Sequence, residues 1–168
     1  MIRRPTGWVE IDKITDGFGR EVSKEKALKY GWISIDPKIG PSNLFVDQGR
    51  QLMAYAFGFR SPIENYTCQR FGVGTGTTAA RVTDVALEAP VELVSSQATT
   101  ASITSVDFLT AFVMRIGFSI ALGDANGYLL TEFGLFSGNN TLLARKVRGV
   151  GINKTSDFSP TLTWRIRF

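Results

Sequence analysis

Histidine is absent from the 168 residues, and cysteine occurs once, at Cys68. Without histidine the chain lacks the commonest general base and metal ligand. A single cysteine excludes an intrachain disulfide, so cysteine usage carries no sign of an oxidising compartment. A lone cysteine reads first as a small buried hydrophobe. No apolar run approaches the ~18 residues that a membrane-spanning helix needs. The opening MIRRPTGWVEID has two arginines but no apolar stretch behind them, unlike a secretory signal. Carboxylates are scattered singly; after Asp107 only Asp124, Glu132 and Asp157 remain, so no catalytic pair stands out. The net charge of +4 is spread along the chain rather than clustered as a nucleic-acid footprint would be. Neither a specific nucleic acid nor a membrane is expected as a partner, and no catalysis, metal or cofactor is expected.

What is present is enough for one domain, which at this length buries roughly 70% of its unfolded surface without staples. Residues 1–42 are polar, charged and punctuated by Pro5, Pro37 and Pro41. WVEIDKI suggests a short strand with Val9, Ile11 and Lys13 on one side. SKEKALKYG suggests a two-turn helix capped by Ser23 and closed at Gly31. Two placements fit this segment: packing on the main domain, or an N-terminal arm that attaches to a neighbouring subunit. A helix of about 14 residues is expected near residues 43–57, capped by Ser42 or Asn43, with Met53, Tyr55 and Phe57 packed on a sheet.

From residue 67 onward strands and turns dominate. Apolar residues recur at every second position from Val106 to Leu122, broken only at Thr110. That period commits one face of a strand to a core. As one straight strand it would exceed roughly 50 Å, so a bend is expected, with Gly117 as its place. DANG at 124–127 reads as a hairpin turn leading to YLLTEFGLF, and SGNN at 137–140 as the next turn. TLTWRIRF ends the chain with Leu162, Trp164, Ile166 and Phe168 on one face and Arg165 and Arg167 on the other. The fold class is mainly β: an antiparallel β-sandwich over residues 43–168, with one helix and an N-terminal extension.

FGVGTGTT at 71–78 invites a nucleotide-binding reading that its spacing refuses. A P-loop needs a lysine after the second glycine, and the dinucleotide pattern needs a glycine where Thr77 stands. The glycines Gly72, Gly74 and Gly76 are therefore structural: close backbone approach at the first two and a positive φ at the third. Glu132 stands inside an apolar strand. It is either an outward-facing residue or one half of a charge pair with Arg145 on the next strand.

Taken in order, VDQGRQL, FGVGTGTT, TDVAL, TEFGLF, LLARKV, INKT and TLTWRIRF resemble a family of virion structural proteins of tailed bacteriophages, found among tail, neck-collar and fibre-attachment components. The resemblance covers about residues 43–168. It implies a non-enzymatic subunit that assembles as an oligomer with copies of itself and with other virion proteins, in the host cytoplasm and then in the virion. Arg165 and Arg167 are the candidate assembly surface. The alternative is a receptor- or glycan-binding tip module of a tail fibre. Such a module wants aromatics in its loops, for which Tyr66 is the one fair candidate.

Overall fold

The computed structural model describes residues 6–33, 44–58, 66–110 and 113–167, with side chains from residue 9 onward and, in the second helix, up to residue 56. It is an antiparallel β-sandwich. One sheet (sheet A) has the order β1-β9-β6-β5, and the other (sheet B) the order β2-β8-β7-β3-β4. In chain order the strands are β1 (Thr6–Asp16), β2 (Leu44–Phe45), β3 (Cys68–Gly74), β4 (Ala101–Ser102), β5 (Ser105–Thr110), β6 (Val113–Ser119), β7 (Leu129–Ser137), β8 (Leu142–Asn153) and β9 (Phe158–Arg167). Two helices accompany them among the described residues, α1 (Lys24–Lys29) and α2 (Asp47–Gly58).

The core lies where alternation from both sheets meets. Ile116, Phe118, Leu162, Trp164 and Ile166 point inward from sheet A, and Phe71, Val73, Phe133 and Leu135 from sheet B. Phe71 and Phe118 stack across the gap at 4.7 Å. A second, smaller cluster of Val46, Leu87, Phe136 and Leu142 lies on the outer side of sheet B. The segment between β3 and β4 covers that side instead of water.

The period-two pattern from Val106 survives, but as two strands. The chain folds back between Thr110 and Val113, so that β5 and β6 pair with Phe108 opposite Met114 and Val106 opposite Ile116. Gly117 is not the bend; it lies within β6 opposite Ser105, whose hydroxyl would come 2.5 Å from an added Cβ. DANG does not close a hairpin either. It carries the chain from β6 in sheet A to β7 in sheet B, because its side chains are anchored elsewhere. Buried Asp124 accepts from the backbone N–H and hydroxyl of Ser95. Lys154 Nζ holds the turn by donating to the Leu122 carbonyl and to Asn126 Oδ1. SGNN does join neighbouring strands, β7 and β8, with Asn140 at φ +62°.

The division at residue 42 is not the boundary that the described residues follow. β1 pairs with β9 along its whole length, from Thr6 opposite Arg167 to Asp16 opposite Phe158. A bulge after Ile11 shifts the alternation, so Ile14 rather than Lys13 enters the core, and Lys13 pairs with Glu21 outside. α1 forms as its caps require: the Ser23 hydroxyl accepts from the Lys26 N–H, and Gly31 takes φ +69°. Ala27 of this helix and Ile33 after it are buried in the same core. Residues 6–33 therefore belong to the sandwich, and 34–43 lie outside the described residues. The second helix begins at Asp47, four residues later than expected, because Leu44 and Phe45 pair with Arg145 and Ala144 as a strand. Its expected caps, Ser42 and Asn43, and the side chain of Phe57 lie outside the description.

Trp164 is fully buried between the sheets, so Trp164→Ala should cost about 3–5 kcal/mol, read as a lower urea midpoint and little soluble protein. Arg167 is exposed at the end of β9, and Arg167→Ala should change stability by less than about 0.5 kcal/mol in the same assay.

Candidate functional site

Three features carry the polar and apolar chemistry of the surface: a buried charge network, a lysine-clamped turn and an apolar edge. The network is built on the outer side of sheet B. Gly74 faces Glu132, and Gly134 faces both Gly72 and Arg145, so all five residues share one surface of the sheet. Glu132 is 0% exposed and Arg145 3%. Arg145 Nε donates to Glu132 Oε1 at 2.6 Å, so the two do form a pair. The same Oε1 accepts from the Glu88 N–H at 2.7 Å, and Oε2 accepts from the Ala89 N–H at 3.1 Å. Arg145 reaches further with its other nitrogens, to Asp84 at 2.8 Å and Glu88 at 3.3 Å. Burial works against the arginine's charge, but its bonds to Asp84 and Glu132 outweigh that and hold its pKa above the ordinary value. The Thr78 hydroxyl and N–H donate to Glu88 and hold its carboxyl below the usual range.

The glycine loop serves this network. An added Cβ at Gly74 would stand 2.5 Å from both the Ala89 carbonyl and Glu132 Oε2. At Gly76 it would stand 2.6 Å from Glu132 Oε2, and at Gly72 2.8 Å from the Thr99 carbonyl. The glycines are a bed on which residues 87–99 lie against the sheet. Gly76 is here for the same reason and not for a positive φ, which it does not adopt. Asp84 and Glu88 carry no sequence signal; only the folding of their segment over β7 and β8 brings them to Arg145.

Lys154 forms the second feature. Besides Leu122 and Asn126, its ammonium donates to the Thr155 carbonyl at 2.8 Å and lies over the Phe158 ring. Burial pulls its pKa down to about 8, against the pull of Asp124 and Asp157. Glu132, all three nitrogens of Arg145 and the Lys154 ammonium are each bonded within the chain, which is the arrangement of a structural tie. Among the described residues no group of three or more Cys, Asp or Glu side chains is placed to hold a metal ion.

The third feature is apolar. On β5, Val106 is 46%, Phe108 72% and Leu109 44% exposed. Beside this strand a groove of about 420 Å³ opens between the two sheets, lined by Phe45, Met53, Tyr66, Val106, Phe108 and Met114 among others. Cys68 also lines it, and burial pushes its thiol up to about 12. Tyr66 thus faces an apolar groove and packs near Tyr55. Arg165 is half-buried on the outer face of sheet A and pairs with Glu10 at 3.1 Å, while Arg167 is exposed at the strand end. Compared with family models, curated proteins and solved structures, the chain matches none.

Glu132→Gln should cost roughly 3–5 kcal/mol, since it strips a buried arginine of its closest counter-charge. Gly74→Ala should be comparably damaging through the clash with the Ala89 carbonyl, and chemical denaturation reads both. The sign of the pH dependence follows from Lys154. Above pH 8 the native lysine holds fewer protons than the unfolded one, so its contribution to stability rises with pH. Cys68 works in the opposite sense once the unfolded thiol ionises, near pH 9. From about pH 7.5 to about pH 9 the urea midpoint of the parent should therefore rise relative to that of Lys154→Met.

Proposed function

We propose that the chain is a non-enzymatic structural subunit of a tailed-phage virion, from the tail, neck-collar or fibre-attachment region, that assembles with copies of itself. The observation that carries the self-assembly is the apolar edge at β5. Exposed strand edges invite pairing, and proteins guard them by shortness, charge or bulges. Sheet B ends in two-residue strands on both sides. At the other edge of sheet A, β1 carries Glu10, Asp12 and Lys13 and a bulge. Among the described side chains of the edge strands, only those of β5 present a row of large apolar groups to water. The virion setting rests on the motif resemblance. In its favour, Asp84 of TDVAL, Glu132 of TEFGLF and Arg145 of LLARKV are joined in one network, as residues of a shared scaffold would be. In this reading Arg165 and Arg167 supply the charged part of the contact surface.

A glycan-binding tip module has one observation in its favour. A hollow of about 400 Å³ brings Phe18 and Trp32 together with Asp16, Ser156 and Asp157, the aromatic and polar mixture that sugars use. Calorimetric titration with oligosaccharides of the bacterial envelope, and its loss in Trp32→Ala, would establish that reading.

Sedimentation velocity over roughly a hundredfold concentration range tests the main proposal. The parent should reach a defined oligomer. Val106→Lys with Leu109→Lys should weaken association by roughly tenfold or more while leaving the melting transition in place. A parent that stays monomeric throughout would overturn the self-assembly.

A further inference from the structure

The turn that follows β1 holds a phenylalanine in water. Phe18 is 86% exposed, yet the residues around it are fixed. Asp16 Oδ1 accepts from the Phe18 and Arg20 N–H groups, and Asp16 Oδ2 accepts from Arg20 Nε at 2.9 Å. Asp16 N donates to the Arg20 carbonyl, Gly19 N donates to the Asp16 carbonyl, and Gly19 takes φ +78°. The backbone that carries this large apolar side chain is already ordered, so the turn itself has little freedom left to lose on binding.

The matching feature is the groove beside β5. None of the described residues that line it carries a charge, and two of them are methionines, whose flexible side chains adapt to an inserted ring. Strand register places the two features at opposite corners of sheet A. Phe18 lies beyond the level of Phe158, whereas Phe108 and Met114 stand at the level of Ile166. That is roughly 26 Å along the strands and roughly 14 Å across three strand spacings. A chain cannot fill its own groove with its own Phe18, but a second copy can.

We infer that Phe18 of one copy inserts into the groove between Phe45 and Phe108 of the next, head to tail. This rests on the self-assembly proposed above and names its contact. Because the two halves of the contact differ, a pair of copies still has one free knob and one free groove between them, and the assembly closes only as a ring or continues as a filament. The turn's own chemistry favours this occupant over a sugar. The Asp16 carboxylate is spent on the backbone of Phe18 and on Arg20, so it is not free to accept from a sugar hydroxyl.

Two variants on exposed side chains test it, Phe18→Asp (knob lost) and Phe108→Asp (groove lost), in sedimentation velocity with the melt as a folding control. Each alone should lose assembly by roughly tenfold or more. Mixed in equal amounts they should form heterodimers and nothing longer, since one intact knob then meets one intact groove. That recovery also demonstrates that both variants are folded. If Phe18→Asp assembles like the parent, or if the folded variants do not recover association on mixing, the inference fails while self-assembly stands. A parent that never associates overturns both. Retained assembly in Phe18→Asp with lost oligosaccharide binding would reassign the turn to glycan recognition.

Discussion

The pair of Glu132 and Arg145 is the constraint around which sheet B and its covering segment are arranged. A carboxylate with no exposed surface is costly to bury, by several kcal/mol per ion after relaxation, unless its lone pairs are filled. Glu132 takes one guanidinium and two backbone N–H groups. Those N–H groups come from residues 88 and 89, so the segment after the glycine loop must lie flat on β3 and β7. It can do so only because Gly72, Gly74 and Gly134 offer no side chains in its path. Asp84 and Glu88 then complete the arginine, and Leu87 drops between them into the outer apolar cluster. A slip of one residue in the pairing of β7 would turn Glu132 into the apolar core, where no guanidinium waits. The network therefore selects a register as much as it adds stability.

Much of the fold could be read from the sequence wherever the signal was local. The alternation in TLTWRIRF, the SGNN turn and the caps of α1 all depend on residues within a few positions of one another. The pair of Glu132 and Arg145 could be read because one hairpin places both residues. Misreadings arose where a distant partner decided the outcome. The alternation from Val106 to Leu122 says that an inward face exists; it does not say that two paired antiparallel strands, β5 and β6, share it. DANG has the residues of a hairpin turn, but Ser95 and Lys154 claim its side chains and direct the chain into the other sheet. For β1 the sequence allowed two placements, on the main domain or as an arm, and the distant partner β9 puts the strand in the sandwich. As an edge strand it needs only one inward stripe, and β9 supplies the rest.

The apolar features were the least legible. Val106 and Phe108 read as core residues, and the pattern is right for the strand to which they belong. Their exposure comes from position: β5 is the last strand of its sheet, and sheet B does not extend far enough to cover it. Phe18 gave no signal, because only the hydrogen bonds of Asp16 show that the backbone of its turn is fixed.

Catalysis and assembly call for opposite kinds of unfinished surface. An active site keeps polar groups poised, with lone pairs or protons free for a substrate and an environment that tunes them. The strongest polar groups of this chain are committed inward: Glu132 to a guanidinium and the backbone, Asp124 to Ser95, Lys154 to three oxygen acceptors, and Asp16 to its own turn. What the fold leaves unfinished is apolar, at Phe18 and along β5 and its groove. Such surface gains free energy only by removal from water, which the proposed assembly would provide. That asymmetry, the strongest charged groups committed inward and large apolar groups exposed, is the physical reason for proposing that the chain is a component of a larger assembly.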